Sequence, residues 1–334
     1  MDSGRACDRC WDLARAELTM LVSTIIATIA RPTLERAVRS ALDQGLGADF
    51  HEVIVVNDSG APLDGAVWSD TPQVLVVETR GVDRCIARNT GAALSRGRYL
   101  HFLDDDDYLL PGGLGALLEV ARGSDAVWVY GALQRVDDEG RLLSINRPEI
   151  RGNLFLDLVA GESLALGAAL IDAQAFLRAG GFDPDFIVSQ DRELACRLSL
   201  AGEFEGTEDP VAAIRVGPAG ATTTNWSRAV ELFRRGREKS LELPGALARL
   251  VDAAGDDPHL HGRAVRTLAA SMLQNAAAGR LDTAFRRLAP LFRLAGAHPL
   301  RPEFWQGLRR RSGVDGDYRV RSRDRGARVR RLPG

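Results

Sequence analysis

The sequence predicts an α/β protein: a mainly parallel, doubly wound sheet flanked by helices, followed by an α-helical C-terminal region. Three observations predict it. Apolar runs of strand length alternate with amphipathic helical segments through the first half of the 334-residue chain, the pattern of parallel strands joined by crossover helices. Those runs are continuously apolar, as strands covered on both faces must be. Beyond about residue 225 the texture changes to segments rich in Ala, Leu, Arg and Glu.

Residues 1–20 are polar and poorly patterned and read as an N-terminal extension. Residues 21–27 read as a buried parallel strand, and Arg31-Pro32-Thr33 as a helix entry with proline near the first turn. Leu34, Ala37, Val38, Ala41 and Leu42 then recur at i, i+3, i+4, i+7 and i+8, one apolar helical face. Residues 53–56 form a second buried strand, ending in Asn57-Asp58-Ser59-Gly60, and 73–78 a third. A helix is predicted from about 83 to 95. A fourth strand, 98–103, runs directly into Asp104, Asp105, Asp106 and Asp107. Residues 126–131 start a further strand, and 134–141 read as strand followed by hairpin turn. The helix 192–201 carries Leu194, Ala195, Leu198 and Ala201 on one side. Residues 226–308 read as several helices, and 309–334 as an Arg-rich tail with too few large apolar residues to bury a core. The domain organisation is therefore 1–20, 21–225, 226–308 and 309–334.

Bulk properties narrow the function. The net charge is −2, so composition offers no argument for nucleic acid. Lys239 is the sole lysine among 43 basic residues. Cys7, Cys10, Cys85 and Cys196 make no disulfide framework and suit a reducing cytosol. The lone Cys7–Cys10 C-x-x-C is a weak zinc signal and reads as incidental. No run approaches the roughly 18 apolar residues of a membrane span. Asp2, Asp8, Asp12 and Glu17 argue against a secretory signal. The expectation is a soluble cytoplasmic protein, with peripheral contact at the inner membrane face left open.

The aspartate run carries the chemistry. Four adjacent carboxylates at a strand end repel and raise one another's proton affinity. A divalent cation relieves that, and Mg²⁺ or Mn²⁺ takes oxygen ligands while keeping places for substrate phosphates. In open α/β sheets ligands bind beyond the carboxyl ends of strands. The competing reading is a solvated acidic turn that opens a helix.

Taken in order, the segments resemble a family. Val22–Thr28 is followed by Glu52–Ser59, then Ala87-Arg88-Asn89-Thr90-Gly91, then Gly97 through Asp107 with Pro111 beyond. Ala179-Gly180-Gly181-Phe182-Asp183 and Gln190-Asp191 come later. Over about residues 21–218 this resembles the family 2 glycosyltransferases of GT-A fold. The resemblance implies an inverting, hexosyltransferase-type enzyme with an NDP-sugar donor of UDP or dTDP type and a divalent cation. By resemblance, Asp58 pairs with the nucleobase and Thr28 lines its pocket, although the neighbouring residue is Ile29 where the family often has an aromatic. Arg88 or Arg84 reaches the diphosphate. The D-x-D falls on Asp104, near the ribose or a metal-bound water, and Asp106, a direct ligand, with Asp105 or Asp107 sharing the load. Asp191 is the general base; its plain alternative is a helix N-cap. Residues 154–171, with Glu162, Ser163 and Gly167, form the acceptor-side wall.

Two departures stand out. Gln190 replaces the usual Glu before the base, and Gly217 stands where a late His is common, leaving Thr222–Thr224 as substitute oxygen donors. The acceptor stays open among glycan, lipid, small molecule and peptide. The C-terminal helices are read as serving acceptor recognition or a homodimer. A processive synthase is disfavoured, because Trp305-Gln306 is not part of a Q-x-x-R-W motif. A nucleotidyltransferase would want glycine in the loop 27–32, which has none. A catalytically silent sugar-nucleotide-binding scaffold is the remaining alternative.

Overall fold

The computed structural model describes residues 20–63, 68, 70–81, 83–148, 151–186, 189–216 and 226–309. The expectations for residues 1–19, Cys7 and Cys10, Gly217, Thr222–Thr224 and 310–334 lie outside these.

Three apolar runs become adjacent strands: β1 (Val22–Thr28), β2 (His51–Asn57) and β4 (Tyr99–Asp104). With β3 (Val74–Glu78) they make the parallel half of a nine-stranded sheet of order β3-β2-β1-β4-β8-β6-β9-β5. The other half holds β5 (Tyr108–Leu109), β6 (Trp128–Val136), β8 (Ala169–Asp172) and β9 (Phe204–Arg215), and β7 (Leu142–Asn146) pairs with β6 as a hairpin arm. Strand β8 is antiparallel to both its neighbours, while β6 and β9 run parallel. So β1 to β4, β6 and β9 share one direction, and β5, β7 and β8 oppose it. Six of the nine strands share a direction, but four of the eight pairings are antiparallel, so the sheet is mixed, with the expected parallel order in its first half.

Helices cover both faces. Period-2 alternation divides each central strand between two cores. Ile25, Ile54, Val56 and Phe102 face one core. Val22, Ile26, Val53, Val55 and Leu103 face the other. Helix α1 (Leu34–Leu42) buries Leu34, Ala37, Val38 and Ala41 in the second core, beside α3 (Gly113–Arg122). Helix α2 (Arg84–Leu94), α4 (Phe155–Val159), α5 (Ala173–Arg178) and α6 (Gln190–Ala201) pack in the first. Gly91 lets α2 lie close on β1, since a Cβ there would meet Ile25 at 2.5 Å. In α6, Leu194, Ala195 and Leu198 are buried as predicted, but Ala201 is exposed at the helix end. The third strand differs too: β3 pairs only with β2 and leaves Leu75 and Val76 exposed. It is an edge strand, so an apolar run did not imply burial there.

The C-terminal region consists of α7 (Trp226–Glu242), α8 (Ala246–Ala254), α9 (Pro258–Ala277), α10 (Leu281–Arg286), α11 (Leu288–Ala295) and α12 (Pro302–Arg309). It is continuous with the first core through Leu241, Leu250, Leu268, Leu294 and Phe304. Among the described residues no helix is long and apolar enough to cross a membrane.

Two buried histidines brace the central strands. His101 Nε2 lies 3.0 Å from the Gly167 carbonyl, so it donates there, and Nδ1 accepts from the Thr24 hydroxyl at 3.3 Å. Thr24 in turn lies 2.9 Å from His51 Nε2 and accepts from it. This chain needs the His101 ring neutral, because its Nδ1 accepts, whereas His51 only donates to it. Burial pushes each pKa from 6.5 down to about 4; for His51 the His101 ring adds to this and Glu52 opposes it. In the unfolded chain both rings bind protons first, so stability is complete above pH 6.5 and is lost as the pH falls through the folded values. We expect thermal melts to show a loss of up to about 3 kcal/mol per histidine between roughly pH 6.5 and 4. His101→Gln should flatten that slope, and an unchanged slope would assign it to other groups.

Candidate functional site

The register of the parallel strands sets the site. Thr28 is paired with Asn57, and Ala27 with Asp104, so β1, β2 and β4 end at one level. Thr28, Asp58 and the run from Asp104 to Asp107 therefore line one rim, which is where an open α/β sheet binds ligands. The Asp58 N–H donates to the Thr28 carbonyl at 2.8 Å. Its buried carboxylate accepts the Thr79 hydroxyl at 2.6 Å. The Thr28 hydroxyl donates to Asp105 at 2.6 Å and accepts from the Ala30 N–H at 2.9 Å. Ala30 sits in the left-handed region, at φ 64, which turns the chain back and aims Arg31 at the rim.

The four aspartates meet different surroundings. Asp104 is half-exposed and hydrogen-bonded to the buried Arg88 of α2. Burial opposes its ionisation, but Arg88, with the fields of Arg84 and Arg31, outweighs this and holds it below the usual carboxylate range. Asp105 turns inward to Thr28 and to Arg31 at 3.0 Å, and burial raises its pKa. Asp106 takes Arg31 at 2.7 Å and has Arg215 at 3.7 Å. Asp107 accepts the Arg215 N–H at 2.8 Å, because the pairing of β5 with β9 brings the end of β9 to this turn. Burial, then the charges of Asp104 and Asp106, push Asp107 well above an ordinary carboxylate.

Asp104, Asp106 and Asp107 each present an oxygen, and the three oxygens lie within 4.8 Å of one another. The donor chemistry of this all-carboxylate set fits a hard divalent ion. Asp104 and Asp106 are thus brought together as expected; Asp107 joins them and Asp105 points elsewhere.

Asp191 lies close enough to Arg88 and Asp104 for both charges to act on it. It is the second residue of α6, and Ser189 holds the N-cap position, so Asp191 is not the ordinary cap. One carboxylate oxygen accepts the Arg192 N–H at 2.8 Å. Burial raises its pKa, Arg88 and Arg192 lower it, and Asp104 raises it again. Arg88 feels the charges of both Asp104 and Asp191, which offset the cost of its burial and keep it fully charged. Arg84, one turn earlier, is exposed and contributes field to Asp104.

Two sequence motifs prove to be one structural unit. Asn89 exchanges hydrogen bonds with the Phe182 backbone, donating to its carbonyl at 2.8 Å and accepting its N–H at 2.9 Å. Gly181, at φ +69, allows this, since a Cβ there would lie 2.6 Å from Asn89 Oδ1. Arg88 lies over the Phe182 ring. Arg197 then ties α6 to the same loop through the Ala179 and Gly181 carbonyls. The wall 154–171 is fixed from behind by Arg263 of α9, which binds Asp157 and Glu162 at 2.6 Å each.

Sequence reasoning missed Arg31 and the role of Arg215. The signal for Arg31 was faint: an arginine three residues past Thr28, ahead of a proline. Arg215 lay in a segment noted only for its missing His.

Comparison with known proteins bears on the same residues. Residues 23–165 match the model of the family described as Glycosyl transferase family 2. That segment contains Thr28, Asp58, Arg88 and the aspartate run; Asp191 lies beyond it. An uncharacterized glycosyltransferase of Rickettsia bellii is 28% identical over 34% of this chain and 17% of its own length. Another, from Methanocaldococcus jannaschii, is 25% identical over 55% of this chain and 66% of its own. The chain thus spans less than two thirds of either relative. S. aureus TarS in complex with UDP-GlcNAc superposes with TM-score 0.53 at 13% identity, over 83% of this chain and 92% of that one, a likeness of fold. The family match and the named relatives support a family 2 glycosyltransferase.

Arg31 pairs with Asp106 and would compete with a cation held there. Arg31→Ala should tighten Mn²⁺ binding by up to roughly fivefold, the scale of a partly exposed ion pair. Asp106→Ala should weaken it by at least about tenfold. Mn²⁺ titration followed by electron paramagnetic resonance checks both, and unchanged affinity in both variants would place the ion elsewhere.

Proposed function

We propose that this chain is a metal-dependent, inverting glycosyltransferase that moves one sugar from a UDP- or dTDP-type donor to an acceptor nucleophile, with Asp191 as general base. The single observation that carries the reading is Arg88. One buried guanidinium pairs with Asp104 and feels the charge of Asp191, so the acidic end of β4 and the start of α6 rim one cleft.

Each group has a role that its surroundings support. Asp58, anchored by Thr79 and the Thr28 backbone, suits the imide N–H of a pyrimidine base. Arg88 and the exposed Arg84 suit the diphosphate, with Arg31 and Arg215 as further cations. Asp104, Asp106 and Asp107 would hold the divalent ion, whose chemistry is to neutralise charge on the departing diphosphate. Asp191 takes the acceptor proton as the freed oxygen lone pair attacks the anomeric carbon. The bond from that carbon to the diphosphate oxygen breaks on the far face, its electron pair leaves with the diphosphate, and the product configuration is inverted. Burial raises the proton affinity of Asp191 above that of a solvated carboxylate, which suits a group that must take a proton.

Residues 21–225 would then form the donor-binding and catalytic unit, with 226–308 backing the acceptor side. Arg263, which fixes the wall at Asp157 and Glu162, supports that division. Gln190, buried beside the base, removes a charge that the family usually places there and supports an acceptor chemistry of its own.

The test is donor turnover with Mn²⁺ across several NDP-sugars. Asp191→Asn should cut kcat by at least about a hundredfold while donor Kd, read by calorimetry, stays within about twofold. Donor binding without turnover by the unaltered protein, with every acceptor tried, would favour the silent-scaffold reading. In the active enzyme kcat/KM should rise with pH through an apparent pKa above 3.8, the ordinary Asp value from which burial displaces Asp191. A limb at or below that value would remove Asp191 as the base.

A further inference from the structure

We propose that the outer face of α10 and α11 docks on an anionic lipid surface. Only Arg287 separates the two helices, and its backbone is itself helical at φ −81 and ψ −18, so 281–295 runs as one nearly continuous helical stretch. Leu281, Phe285, Ala289 and Phe292 fall at i, i+4, i+8 and i+11 on it, a single stripe. That stripe faces outward: Phe285 is 65% exposed, Phe292 69% and Leu281 56%. The opposite side is the one that packs, with Ala284, Arg287 and Leu294 buried. Two phenylalanines exposed on one line are an unusual surface, since Phe ranks among the most buried residue types. Leu300, 87% exposed, extends the patch in the turn after α11.

Charge selects the occupant. Between 280 and 301 the chain has five arginines and one acidic residue, Asp282, which Arg286 pairs at 3.0 Å. Arg280, Arg286, Arg293 and Arg301 are exposed. Aromatic residues on one face with arginines along its margin are the composition of a helix that lies in a lipid interface. Residues 310–334 add nine arginines against three aspartates, the same sign of charge as the patch, so charge complementarity does not select them as its occupant. A second copy related by a two-fold axis would set the same arginines against one another. An anionic bilayer satisfies both the apolar stripe and its basic margin.

The experiment is co-sedimentation of the full chain with vesicles of phosphatidylcholine alone or containing about 30% phosphatidylglycerol. Binding is expected to the anionic vesicles, with release at about 0.5 M salt, and not to the neutral ones. The double variant Phe285→Ser, Phe292→Ser should lower the partition coefficient at least about tenfold. Its melting temperature should hold, because both side chains are exposed. Arg286→Gln with Arg293→Gln should weaken anionic binding alone. Three results would overturn the proposal: no binding by the unaltered chain, binding undiminished in the phenylalanine variant, or a concentration-dependent dimer in light scattering that the same variant abolishes.

Discussion

Four carboxylates at the end of one buried strand are the constraint around which the site is arranged. Left together they would raise one another's proton affinity and destabilise the turn. The fold answers with cations drawn from separate elements. Arg31 comes from the loop after β1, Arg88 from the interior of α2 and Arg215 from the end of β9. Each is placed by topology rather than by sequence proximity, because parallel strands deliver their carboxyl ends to one side. Balance is still incomplete: Asp107 accepts only a backbone N–H in the described contacts and stays shifted well upward.

What the sequence made legible follows from period and punctuation. Strands β1, β2 and β4 were visible because burial on both faces demands continuous apolar runs. Helix α1 was visible because its buried stripe repeats at helical spacing. The run from Asp104 to Asp107 was visible because a strand that ends in four carboxylates is unusual, whereas Asp58 and the choice of Asp104 and Asp106 within the run came from the family resemblance. Strand β5 has two residues and β8 four, too short for any period to register. The edge position of β3 depends on pairing, which no local pattern encodes. The role of Arg31 depends on a left-handed turn at Ala30, a residue type that gives no hint of that conformation.

The helical region is bonded to α6 and to the Gly180–Gly181 loop through the chain's sole lysine. Lys239 of α7 pairs with Asp183, in the loop that Asn89 and Arg197 hold, and with Glu193 of α6 at 3.1 Å. Glu193 also binds Arg197. One turn of α6 is therefore fixed from the Gly180–Gly181 loop and from α7 at once. Arg192 on the same turn lies over the Phe233 ring of α7 at 4.1 Å. A change in α7 would act on Asp191 through these contacts without touching substrate.

That arrangement would let Asp191, in the role proposed for it, be held still while keeping its reactivity. A carboxylate anchored by many hydrogen bonds would lose basicity with each, since every donor stabilises the charged form. Asp191 is positioned instead by its backbone. Ser189 bears a left-handed conformation at φ 60 to start the helix, and the buried Gln190, Arg192 and Glu193 flank it. The strain of a non-glycine residue there, of order 1 kcal/mol, is carried by the packing of α6 and not by the carboxylate. Proton affinity and placement are then set by different groups, burial raising the first and the α6 clamp fixing the second, so the two can be altered separately.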